Sequence, residues 1–159
     1  MASLGCVAPR SETQLARGEL ALDSFPSPTI TGVCWMGRVP EDAARQTRAL
    51  VFWDPTIDDE SACLVALANL RREHGWLEAV AIAAGKEFEP VIRANARWGT
   101  EPGIAVGLED YAGLHERWLR LTRGAELPVA FLIEPFDGVV WAGKPSDLLE
   151  ACAGLQAVR

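Results

Sequence analysis

Residues 49–70 read ALVFWDPTIDDESACLVALANL. The first five are apolar without interruption, as in a strand covered on both faces. Cys63, Leu64, Leu67 and Leu70 then fall on one stripe at helical spacing. Between strand and helix lies Asp54-Pro55-Thr56-Ile57-Asp58-Asp59-Glu60, a turn that becomes a helix start. Thr56 or Asp58 can cap the free amides there, and acidic side chains suit the positive end of a helix. Capping accounts for the carboxylate cluster without any function. A strand that enters a helix through so short a turn is the repeating unit of a parallel sheet.

The same grammar continues on both sides. Upstream, TITGVCWMG (29–37) reads as a strand closed by Gly37, joined to the central strand by the polar run RVPEDAARQTR. Residues 1–28 form an N-terminal extension in which SETQLARGELALDSF can make a short helix that stops at Pro26 and Pro28. Downstream, the first helix, about 59–74, is stopped by Gly75, and LEAVAIAAG (77–85) is a second buried strand. EFEPVIRANARWG (87–99) is a helix with Pro90 in its first turn, where a missing N–H is harmless. GIAVGL (103–108) is a short strand and AGLHERWLRLTRG (112–124) another helix. LPVAFLIEP and GVVWAG make a hairpin about Phe136-Asp137-Gly138, and SDLLEACAGLQAV (146–158) closes the chain as a helix capped by Ser146. The expectation is one α/β domain over 29–159, a central mixed β-sheet with helices on both faces.

Composition narrows the function classes. The chain has 159 residues, a formal charge of −7 and 49% hydrophobic residues. Its arginines are interspersed with glutamates, as in LRREHGW and LHERWLRLTRG. An acidic surface without a segregated basic face repels a nucleic-acid backbone, so no nucleic acid is expected as partner. No apolar run approaches the roughly 18 residues that a membrane span needs. The 4 cysteines (Cys6, Cys34, Cys63, Cys152) stand far apart, without C-x-x-C or metal-ligand spacing. Reduced thiols in a cytoplasmic protein are the simplest account, and the first residues lack the basic and apolar regions of an export signal.

Three segments carry a resemblance to a known family. Leu50-Val51-Phe52-Trp53 stands where thioredoxin-like proteins of the TlpA/redoxin branch have the strand before their redox motif. Leu127-Pro128-Val129-Ala130-Phe131-Leu132-Ile133 is similar to that family's I-P-T-x-F-L-I, and Asp137-Gly138-Val139-Val140-Trp141-Ala142-Gly143 to its D-G-x-I-x-x-x-G. The resemblance implies a thioredoxin-like three-layer sandwich. It also implies a cis proline at Pro128, facing the redox motif across a groove where the main chain of Leu127 could pair with an extended peptide. It places Ile57 and Glu60 where the nucleophilic and resolving cysteines belong. Neither side chain can exchange a disulfide, because that chemistry needs a thiolate.

The expected groove is therefore formed by Trp53, Asp54, Pro55, Thr56, Ile57, Asp58, Asp59, Glu60, Leu127 and Pro128. Its leading occupant is a protein or peptide segment, bound without redox chemistry. The alternative is a small molecule held in a closed pocket between Trp53, Asp58, Glu60 and Pro128, with Asp58 or Glu60 as acid or base. A second alternative is single-cysteine redox work by Cys34 or Cys63. Against it, Thr56 and Cys63 are seven positions apart rather than three as in a peroxiredoxin, and Cys63 lies on the apolar stripe of its helix. The 2 histidines offer no metal set: His74 lies about 20 Å along the helix from the acidic cluster, and His115 is expected on a helix surface. No cofactor is expected. Most of the 6 tryptophans should fill the core, with Trp53 and Trp118 candidates for lining the groove.

Overall fold

The structure, a computed structural model, describes residues 30–40, 46–57, 60–100, 103–110, 113–122, 124–135 and 138–158. The N-terminal extension, Asp58, Asp59, and the Phe136-Asp137 turn lie outside the described residues, as do the side chains of Glu60 and Ser61. The strands are β1 (Val33–Trp35), β2 (Arg48–Trp53), β3 (Glu78–Ala83), β4 (Ala105–Glu109), β5 (Val129–Glu134) and β6 (Gly138–Gly143). The helices are α1 (Glu60–Glu73), α2 (Glu89–Trp98), α3 (Leu114–Leu119) and α4 (Leu148–Val158).

The strands form one sheet in the order β1-β4-β3-β2-β5-β6. β2, β3 and β4 are parallel, in the register Phe52↔Ile82 and Ile82↔Gly107, whereas β5 runs antiparallel to β2 with Val129 opposite Phe52. β1 and β6 are antiparallel edges, and a register shift between Leu132 and Ile133 twists the last pair. β3 is buried at every position and β2 at all but its first, as unbroken apolar runs require.

Alternation along the strands divides the core in two. Ala49, Val51 and Trp53 face α1, α2 and α4, packing on Leu64, Leu67, Val91 and Leu148. Leu50, Phe52, Ile82 and Phe131 face the other way, onto Leu114 and Trp118 of α3. Helices thus cover both faces, but unequally. The face that α3 covers, the one helix there among the described residues, is secured by an aromatic cluster in which the Trp118 ring lies 6.0 Å from Phe52 and 5.0 Å from Phe131. Such pairs add about 0.5–1.5 kcal/mol each beyond the area they bury.

Gly107 shows why one edge closes. A Cβ there would meet Val33 Cγ1 at 2.5 Å and Trp35 Cε3 at 2.8 Å, so β1 can cross β4 only over a glycine. Two local expectations need correction. The helix before β5 is limited to Leu114–Leu119; beyond it the Thr122 hydroxyl donates to the Leu119 carbonyl at 2.6 Å and accepts from the Ala125 amide at 3.2 Å, which converts the chain into a turn. Ser146 does not cap α4. It lies inside a 3-10 turn, Pro145–Asp147, which the fixed φ of Pro145 starts directly after extended Lys144.

Candidate functional site

The carboxyl ends of β2, β3 and β4 share one rim of the sheet with the start of β5. At the centre of that rim, after β2, Asp54 folds the chain back. Its Oδ1 accepts from the Thr56 amide at 2.9 Å and the Thr56 hydroxyl at 2.6 Å, and its carbonyl accepts from the Ile57 amide at 3.1 Å. This tight turn leaves Pro55 half-buried, Thr56 exposed and Ile57 80% exposed at its tip. Ile57 is therefore a surface residue and not part of the core.

Across from the turn, the Leu127–Pro128 peptide bond is cis. Both residues border a concavity of about 710 Å³, together with Ala62 and Cys63 from the first turn of α1 and with Lys144 and Asp147. Among the described residues none hydrogen-bonds the main chain of Leu127. Leu127 and Pro128 are therefore brought together with Ala62 and Cys63 of α1, while none of the described residues 53–57 borders this concavity. Trp53 is not part of the rim. It is fully buried toward α1, because the residue that ends β2 takes the face opposite Phe52. Nor can Trp118 join it, since the two tryptophans pack on opposite faces of the sheet. The closed pocket expected between Trp53, Asp58, Glu60 and Pro128 consequently has no Trp53 wall, and Asp58, Asp59 and the Glu60 side chain lie outside the described residues.

Cys63 is 1% exposed and takes its place on the apolar stripe of α1, yet it also borders the concavity beside the cis bond. Cys34 is half-buried on β1, and Cys152 is buried on α4, where desolvation raises its thiol pKa above the ordinary value. Among the described residues no group of three or more His, Cys, Asp or Glu side chains is placed to hold a metal ion. No helix among them is long and apolar enough to cross a membrane.

Farther along the same rim is a pair that pattern reading missed. His115 Nδ1 lies 2.6 Å from Glu109 Oε2, the carboxylate side chain being 3% exposed and the imidazole 22%. The strand's last residue and the first turn of α3 meet there, beneath Lys86 and Phe88 of the loop after β3. The one available signal was an acid ending an apolar strand, with a histidine six residues later. Taken separately, each residue looks like solvated surface.

No family model matches the sequence, and no curated protein matches it. Solved structures do. A thiol:disulfide interchange protein from Bacteroides sp. superposes with a TM-score of 0.59 at 15% identity, covering 89% of this chain and 90% of that one. The thioredoxin domain of a thiol-disulfide oxidoreductase from Bacteroides vulgatus gives 0.54 at 12% identity, covering 84% and 99%. A secreted Mycobacterium tuberculosis disulfide oxidoreductase homologous to E. coli DsbE gives 0.52 at 14% identity, covering 77% and 93%. The fold is thioredoxin-like.

Within the thioredoxin-like frame the departure is local. Sheet order, α1 and the cis bond before β5 are in place, while the turn and first residue of α1 between β2 and Ser61 carry no cysteine. Cys34, Cys63 and Cys152 form no disulfide among the described residues. A dithiol cycle has no second sulfur at this helix start.

Proposed function

We propose that this chain uses the thioredoxin-like rim to bind an extended peptide or protein segment without dithiol chemistry. The observation that carries the reading is Ile57, 80% exposed at the turn after β2, where the resemblance implies the nucleophile, on the rim that also carries cis Leu127–Pro128. An extended segment could pair with the main chain of Leu127 and lay an apolar side chain on Ile57, a strand-addition mode in which main-chain bonds supply affinity and side-chain contacts supply selectivity. The wide separation of the cysteines supports a reducing, cytoplasmic setting for that work.

Selection of a random linear peptide library against the full chain tests this. Enriched peptides should bind the wild type and lose about tenfold in affinity against Ile57→Asp, since a buried apolar contact is exchanged for a charge. Enrichment equal on the two proteins would reject the reading. Dithiol-dependent insulin reduction by the wild type would reject it from the other side.

A second reading rests on Cys63 at the concavity beside the cis bond. One thiol there could form a mixed disulfide with a partner's cysteine, releasing the partner's other thiol or a small thiol as leaving group. Site-resolved maleimide labelling decides it: Cys63 should react faster than Cys152 if the concavity admits reagent, and at the same slow rate if it is only a core residue.

A further inference from the structure

We infer that two copies of this chain associate through α2, packed antiparallel about a two-fold axis. The surface is separate from the peptide-binding reading and stands on different residues. Val91, Ala94 and Trp98 are buried in the core, and they fix the inward side of the helix. Helical spacing then sets what faces out.

One outward line is apolar. Phe88, just before the helix, keeps helical dihedral angles (φ −78°, ψ −34°), so residues 88, 92 and 96 follow one another on a single line at i, i+4 spacing. Phe88 is 50% exposed, Ile92 is 55% exposed and Ala96 is exposed. Isolated apolar side chains are ordinary on a protein surface, but two large ones on consecutive turns make a stripe. The loop after β1 lies beside this helix, with Gly37 against Asn95 and exposed Val39 two residues on.

The neighbouring line is charged, and its order selects the occupant. Glu89, Arg93 and Arg97 are all exposed there, the carboxylate at the start of the helix and the two guanidiniums farther along. Within one chain Glu89 and Arg93 are 3.4 Å apart, a contact that solvent weakens. Arg97 stacks 4.9 Å from the centre of the Trp98 ring, which occupies its face and leaves its N–H edge to donate. A two-fold axis level with Ile92 joins the apolar stripes and sets both charged lines on the same side of the seam, running in opposite directions. Glu89 of each copy then stands level with Arg93 and Arg97 of the other. A parallel pairing would place Glu89 level with Glu89. In the antiparallel sense the surface is complementary to itself, and the helix dipoles oppose as well. At 10 residues α2 is about 15 Å long, so the seam is small beside a standard interface and the dimer is weak and reversible.

Sedimentation equilibrium of the full chain from about 10 μM to about 1 mM tests the assignment, the range in which so small an interface dissociates. The wild type should pass from monomer toward dimer. Ile92→Asp should stay monomeric across the range with an unchanged circular dichroism spectrum, because a charge then enters the apolar seam. Glu89→Arg, and separately Arg93→Glu/Arg97→Glu, should each associate about tenfold more weakly than the wild type, since like charges meet across the axis. Overall charge predicts the reverse for Glu89→Arg, which makes a chain of formal charge −7 less negative. Mixed in equal amounts, the two charge variants should form a heterodimer about tenfold tighter than either variant alone, because every reversed charge now faces its opposite. A wild type that stays monomeric to about 1 mM, an Ile92→Asp variant that dimerises as the wild type does, or a mixture no tighter than its components would overturn the inference.

Discussion

Two stretches of one rim differ in an instructive way. At its centre, where β2 runs into α1 on the rim that also holds cis Leu127–Pro128, the thioredoxin-like backbone is kept and the turn carries Ile57 and Glu60 with no cysteine pair. Toward the edge, where β4 runs into α3, nothing in the thioredoxin-like pattern marks a site, yet a buried carboxylate and an imidazole are joined at 2.6 Å. Loops at the carboxyl end of a sheet are free to differ in this way because the strands beneath them carry the stability.

The contrast can be broken most directly by placing a C-x-x-C pair at this turn. In Ile57→Cys/Glu60→Cys the pair would stand at the start of α1, where a helix N-terminus lowers a thiol pKa, and insulin reduction should rise at least on the order of a hundredfold above the wild-type background. An unchanged rate in a folded variant would mean that the centre does not hold a dithiol in working geometry.

Removing one member of the edge pair should affect stability more than any truncation at the turn. His115→Ala leaves Glu109 buried without its donor, and urea unfolding should show a loss of about 1–3 kcal/mol. A loss below this range would place Glu109 in contact with water once the ring is gone, and so weaken the contrast.

The thiols sharpen the comparison by an order of magnitude or less. Half-buried Cys34 should label about tenfold faster than Cys152 near neutral pH, measured by mass spectrometry of the digested protein. Because burial raises the Cys152 pKa, its labelling should climb only at more alkaline pH than that of an ordinary thiol. The linked stability is complete below the unfolded thiol pKa of 9.0 and is lost as pH rises through the higher folded value, since only the unfolded chain ionises in that window.

Ile57→Ala should change folding stability by less than about 0.5 kcal/mol, the ordinary result for an exposed side chain. A larger loss would mean that Ile57 is covered by its own chain. That outcome would remove the centre as a binding surface.

Much of this was legible from periodicity. Unbroken apolar runs become strands when helices cover both sides, and Cys63, Leu64, Leu67 and Leu70 could share a stripe only on a helix, so β2, α1 and β3 follow from local pattern. The helix before β5 was overextended because LRLTRG keeps helical spacing, while the competing hydrogen bonds of Thr122 are invisible to spacing. Trp53 was assigned to the groove by resemblance. Alternation about Phe52 could have sent it to the core had the faces been counted.

By itself the sequence determined the order of strands and helices, the absence of a C-x-x-C pair and the acidic character of the chain, because these are properties of residue type and local spacing. Tertiary structure alone decided that Ile57 stands exposed, that Cys63 shares a concavity with Leu127 and Pro128, and that Glu109 meets His115. Each of those depends on where β4, β5 and α3 dock against the rest of the fold. Burial and hydrogen bonding between distant residues are set by that docking, and no short-range pattern encodes them.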